Sequence, residues 1–139
     1  MIAYFDTSAF VKLIVEEAGS THAAELWTRA TQSVSSILLY PEGRAALRRA
    51  QRAGRLGPGG SRTAAASFDR LWRRCASIPV NLELALRAGE LAHRYGLRGY
   101  DAVHLASALA LEVSDVVLIA ADHDLCDAAA VCGLAVARV

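Results

Sequence analysis

Long apolar runs are missing from this chain. The longest, Ala128 to Ala137, falls far short of the ~18 residues that span a bilayer. No basic segment precedes the first apolar run, which stops at Asp6, so no targeting leader is expected and the chain reads as soluble and cytoplasmic. Cysteine is scarce. Cys75, Cys126 and Cys132 are odd in number and form no Cys-x-x-Cys pair, which argues against a disulfide framework or a zinc site and leaves them as small buried hydrophobes. No internal repeat is visible. No serine or cysteine stands at a strand end beside a matching base, so no nucleophile triad is indicated. Lysine is nearly absent as well: Lys12 is the only one, and the other fourteen basic residues are arginines.

What is present fits one globular domain spanning residues 1–139. Apolar residues make up 54% and charged residues 21%, which suits a chain with a single packed core rather than a disordered one. The net charge of +1 hides an asymmetry. Residues 44 to 74 carry nine basic residues and one acid, Asp69, so that segment is +8 and the remainder −7. A positive middle against an acidic remainder suggests a polyanion partner and a cation site in one molecule.

The pattern alternates strands and helices. Ile2 to Phe5, Gln32 to Ser36, Ser77 to Val80, Val116 to Ala121 and Leu134 to Ala137 read as strands. The third contains Pro79 and is expected at an edge, whereas the uninterrupted run from Val116 is expected at the centre. Helices are expected from a Thr7 or Ser8 cap to Val15, from Gly19-Ser20-Thr21 to about Ala30, and from Pro41 to Ala53. Further helices should run from a Ser61 cap to near Cys75, from an Asn81 cap to Tyr95, from Ala102 to Glu112, and from Asp122 to Cys132. Gly54 to Gly60 reads as a flexible hinge. The fold class is therefore α/β, a parallel sheet of about five strands with helices on both faces.

Four acids stand out by position. Asp6 and Asp122 end strands, while Glu42 and Asp101 open helices. Each has an ordinary explanation as a helix cap or a first-turn acid. Together, in a parallel sheet, they fall on one edge, where α/β folds bind ligands. Four carboxylates sharing a pocket repel one another and resist desolvation unless a cation joins them. Oxygen-only ligands favour Mg²⁺ or Mn²⁺, which activates water and stabilises charge on a phosphoryl group. Asp124, two residues past Asp122, is an alternative for the fourth position.

These residues carry a resemblance. Asp6-Thr7-Ser8-Ala9 with Val11-Lys12-Leu13, then Tyr40-Pro41-Glu42, then Asp101-Ala102-Val103-His104-Leu105-Ala106, then Ala121-Asp122 with Leu125, resemble the PIN domain. More narrowly they are similar to the VapC toxins of bacterial toxin–antitoxin pairs. The resemblance covers the whole chain in order. It implies a Rossmann-like fold and a Mg²⁺- or Mn²⁺-dependent endoribonuclease, with Asp6 and Asp101 holding the metal and Glu42 and Asp122 completing the acidic site and positioning water. Thr7 and Ser8 would support those carboxylates. A VapB-like antitoxin and a homodimer are implied too. One departure is visible: Thr or Ser often stands two residues before the fourth acid, and here Ala120 does.

Other residues are open to two readings. Arg44 and Arg48, close behind Glu42, suit RNA phosphates or an ordinary solvated face. His104 reads as a packed, hydrogen-bonded histidine, Lys12 as a surface lysine, and Trp27 and Trp72 as core. The competing function is a PIN-shaped domain that binds RNA or protein without cutting it. A phosphatase-like hydrolase is weaker, because no second aspartate follows Asp6 two residues on.

Overall fold

The computed structural model describes residues 1–139. Five strands form one parallel sheet: β1 (Ile2–Phe5), β2 (Gln32–Ser36), β3 (Ala76–Ile78), β4 (Val116–Ala120) and β5 (Ala135–Arg138), in the order β3-β2-β1-β4-β5. β1 is central. Ile2 stands opposite Gln32 on one side and Val116 on the other, and Phe5 is in register with Ile119. β3 is at an edge, as Pro79 predicts, and that proline lies just beyond the strand.

Seven helices connect the strands: α1 (Thr7–Val11), α2 (Ser20–Arg29), α3 (Leu39–Arg52), α4 (Pro58–Trp72), α5 (Leu82–Tyr95), α6 (Gly99–Leu109) and α7 (His123–Val131). Side chains alternate across a strand, so β1 feeds two cores. Ala3 and Phe5 pack with Phe10, Leu26, Leu47 and Phe68 of α1 to α4. Tyr4 faces the other way and packs with Leu84, Leu105 and Leu125 of α5 to α7. Helices thus cover both faces. None is long and apolar enough to cross a membrane.

The structure corrects several boundaries. The first helix ends at Val11, not Val15, because Leu13, Ile14 and Val15 turn back onto Phe10 and Val11, a bend that buries Val15. Its cap is Asp6 rather than Thr7 or Ser8. α3 starts at Leu39, with Pro41 still in the first turn, where no N–H is required. α4 starts at Pro58, whose fixed φ suits the first helical position. Three of the seven residues of the expected hinge are therefore helix, and Ser61 caps nothing. Trp27 and Trp72 are partly buried against the first core, and Cys75 and Cys126 are buried thiols.

Gly43 sets how closely α3 and α4 approach. A Cβ there would lie 2.2 Å from the Phe68 ring, so only glycine admits the buried Phe68 next to Glu42.

Candidate active site

A cleft of about 1100 Å³ opens at the C-terminal edge of the sheet. Asp6, Glu42, Asp101, Asp122 and Asp124 all line it, as do Thr7, Ser8 and His104. The topology explains this. Asp6 follows β1, Asp122 follows the neighbouring β4, and Glu42 and Asp101 lie in the first turns of α3 and α6.

Asp6 is 3% exposed. Its Oδ1 accepts the Ala9 amide at 2.8 Å, and the Ser8 hydroxyl lies 2.8 Å from both carboxylate oxygens. Asp6 therefore is the cap that its position allows, yet capping contributes only about 1 kcal/mol. Burial wins: it pushes the carboxyl above its ordinary range, against the opposing His104, Ala9 and Ser8. Ser8 also accepts the Ala121 amide at 2.9 Å, which ties Asp6 to the end of β4. Ala120 is wholly buried in the core, and the hydroxyl that meets the end of β4 comes instead from Ser8.

Glu42 is held by two partners. Thr7 donates to its Oε1 at 2.9 Å, and His104 Nε2 lies 2.8 Å from the same oxygen. His104 Nδ1 is 3.0 Å from the Tyr4 hydroxyl, which accepts the Ser36 amide at 3.0 Å. An ionised Glu42 can only accept, so Nε2–H faces it, and Nδ1 pairs with the Tyr4 hydroxyl. Burial would raise the Glu42 carboxyl, but the bond from His104, then Thr7 and Arg49, outweigh it and hold the carboxyl below its ordinary range. The expected packed, hydrogen-bonded histidine is thus found, and it also orients an acid. Its spacing, one turn after Asp101, is the sequence signal for it.

Asp101 is 6% exposed, and burial raises its carboxyl too, despite an ion pair with Arg98. Arg98 Nε donates to Asp101 Oδ2 at 2.8 Å, and Nη2 reaches Asp122 Oδ2 at 3.4 Å. Asp122 caps α7 through the Leu125 amide at 2.9 Å. Asp124 lies in the first turn of α7, lines the cleft and is exposed.

The donor chemistry fits a hard divalent cation: two buried, destabilised carboxylates with further carboxylates beside them. No three acidic, histidine or cysteine side chains converge closely enough to cage an ion as they stand. Two causes are visible. Asp6 is turned onto the start of α1, and Arg98 lies between Asp101 and Asp122.

The arginines sort by position. Arg49, Arg55 and Arg98 line the cleft with Lys12; Arg44 and Arg48 do not. Arg44 pairs with Asp69 at 3.1 Å and lies over Tyr40, and Arg48 donates to Gln51. Arg49 is two turns beyond Glu42, on the same helix face, which is the signal for it. Lys12 is not a free surface lysine. It bonds the Ala18 carbonyl at 2.6 Å and Glu17 at 3.2 Å.

The PIN domain family model matches residues 3–131. This chain belongs to the PIN domain family. Within that family it is 40% identical to ribonuclease VapC45 of Mycobacterium tuberculosis over 136 residues, covering 98% of this chain and 94% of the relative. The PIN fold also aligns with the crystal structure of VapC20 of M. tuberculosis, a sarcin-ricin loop cleaving toxin. The TM-score is 0.72 at 22% identity, over 99% of both chains. VapBC2 from Rickettsia felis aligns at a TM-score of 0.67 and 15% identity, over 99% of this chain and 98% of the other. The five-stranded parallel sheet is that of PIN-domain VapC toxins.

Proposed function

We propose that this PIN domain is a Mg²⁺- or Mn²⁺-dependent endoribonuclease, the toxin of a type II toxin–antitoxin pair. The observation that carries it is the gathering of Asp6, Glu42, Asp101 and Asp122 in one cleft, in a chain 40% identical to a VapC ribonuclease. Asp6 and Asp101 hold the metal, and their buried, destabilised carboxylates are relieved by it. The ion would lower the pKa of a bound water and stabilise phosphoryl charge. Glu42, ionised and fixed by Thr7 and His104, orients the attacking water for in-line hydrolysis of an RNA phosphodiester. Asp122 serves as the fourth acid, since Arg98 joins it to Asp101, while Asp124 makes neither contact. Ser8 and Thr7 fix Asp6 and Glu42. Arg49 and Arg55 bind RNA phosphates inside the cleft, and Arg44 and Arg48 serve it from outside.

The partners follow from the same reading. A VapB-like antitoxin covers the cleft, the toxin is a homodimer, and it works in the cytoplasm as one domain over residues 1–139. A cleavage assay on total RNA with Mn²⁺ or Mg²⁺ tests the activity. Cleavage that survives excess chelator, or that is unchanged in Asp6→Asn and Asp101→Asn, would falsify it. A second reading has one observation in its favour, the guanidinium between Asp101 and Asp122. A PIN domain that binds RNA without cutting it would retain RNA in a salt-dependent way and yield no new RNA ends with either ion.

A further inference from the structure

Arg98 stands at the N-cap of α6 with its side chain 61% exposed. Three groups place its guanidinium. Asp101 takes Nε at 2.8 Å, Asp122 takes Nη2 at 3.4 Å, and the Tyr100 ring lies 4.9 Å from the guanidinium carbon. Among the ion pairs of the chain, Arg98 is the only cation on either acid. Two carboxylates on different elements thus share one exposed positive charge at the cleft.

We infer that Arg98 and a divalent cation are alternative partners of Asp101 and Asp122, and that the guanidinium freed by the ion turns to an RNA phosphate. This rests on the metal-dependent ribonuclease reading given above. Energetics set the direction of the exchange. The guanidinium end of the pair is open to solvent although Asp101 is not, so solvent and salt screen it and leave it weaker than a sealed ion pair. A doubly charged ion bonds the same oxygens directly and displaces it. Tyr100 keeps its hold on the released guanidinium through its ring face, which does not depend on the acids. Arg98 therefore stays at the cleft mouth with its donors facing solvent, the geometry in which arginine takes a phosphate oxygen pair. The exchange also prevents a cost. In its absence, a loaded site would hold a cation beside an arginine with no acid left to pair it.

The test follows Arg98 and the ion separately from activity. In ¹⁵N-arginine-labelled full-length protein, the Nε–H resonance of Arg98 is identified by its loss in Arg98→Gln. On titration with Mg²⁺ it should move to the position of a solvated arginine, over the same concentrations at which calorimetry records ion binding. Arg98→Gln, at an exposed position, should fold normally and bind Mg²⁺ about threefold more tightly than the parent, the scale of one solvent-screened ion pair. In Mn²⁺-dependent RNA cleavage the same variant should raise KM more than it lowers kcat, with Arg98→Lys between the two. An Nε–H resonance that stays put at saturating Mg²⁺, or Mg²⁺ affinity unchanged or weaker in Arg98→Gln, overturns the exchange while leaving the ribonuclease reading intact. Mg²⁺ and Mn²⁺ binding to neither protein removes the metal reading, and the exchange with it.

Discussion

His104 Nε2 lies 2.8 Å from Glu42 Oε1, and the same histidine is 3.0 Å from the Tyr4 hydroxyl. A buried strand residue is thereby linked to a cleft carboxylate through one imidazole that is 1% exposed. Deleting the ring leaves Glu42 with Thr7 alone and the Tyr4 hydroxyl with only the Ser36 amide. His104→Ala should cost about 1–3 kcal/mol of stability and lower kcat about 10–100-fold, read by urea unfolding and RNA cleavage. His104→Gln, whose amide can still donate to Glu42, should recover most of kcat. Equal kcat in the two variants would remove the orienting role.

Asp6→Asn separates stability from activity. The raised Asp6 carboxyl means that its charged form is disfavoured in the fold. For such a group, stability is fully present below the ordinary carboxylate range and is lost as pH rises through the raised value. The amide cannot ionise, and its oxygen can still accept the Ala9 amide. In chelator, Asp6→Asn should therefore unfold later than the parent at pH 7, by about 0.5–2 kcal/mol. The gap should shrink as pH falls toward the ordinary carboxylate range. RNA cleavage should be abolished at every pH. Thermal melts across pH decide it.

Ser8→Ala removes a hydroxyl that lies against both oxygens of Asp6 and accepts the Ala121 amide. The loss should cost about 1–2 kcal/mol, since the amide is left without its partner. It should also weaken Mn²⁺ binding, because Asp6 loses the group that fixes its plane. Calorimetry measures the second effect directly; unchanged Mn²⁺ affinity would limit Ser8 to holding β4.

Arg49→Gln and Arg44→Gln should differ, although both lie on α3. Arg49 faces the cleft, so its loss should weaken RNA binding and lower the salt slope of affinity by about one. Arg44 is held by Asp69 on the exposed side, a pair worth at most ~1 kcal/mol, and its loss should change the slope less. Fluorescence anisotropy over a salt series distinguishes them, and equal slopes would return both arginines to the solvated-face reading.

Gly43→Ala should destabilise by about 1–3 kcal/mol through overpacking, because its methyl would meet the Phe68 ring. Phe68→Leu in the same chain should restore part of the loss. A double variant no more stable than Gly43→Ala would show that backbone shift, not the ring, carries the cost.

The strand ends and helix starts were readable in the sequence because apolar runs stop abruptly at Asp6 and Asp122, and because Glu42 and Asp101 lie in first turns. Parallel pairing then left those acids only one edge to occupy. Arg98 was not readable. The basic density of residues 44 to 74 drew attention to α3 and α4, whereas Arg98 acts alone, from a cap position, on partners fixed by tertiary structure. Arg44 and Arg48 illustrate the converse. Proximity to Glu42 along the chain says little about a helix face, and two turns, not half a turn, lead back to the cleft. Tyr4 was legible as a strand residue but not as a link to His104, since that contact spans the sheet and α6.

The sheet order has a consequence for synthesis. β1 is made first but lies between β2 and β4, and the Asp6 amide donates to Ile119 of β4. Until β4 leaves the ribosome, Asp6 lacks one wall of its cleft, and Asp122 has yet to follow. A nascent chain carrying only the first three strands therefore lacks the assembled acidic cleft on which the proposed nuclease activity depends. The ribosome that makes it, itself built of RNA, meets the complete acidic cleft only once translation is nearly finished.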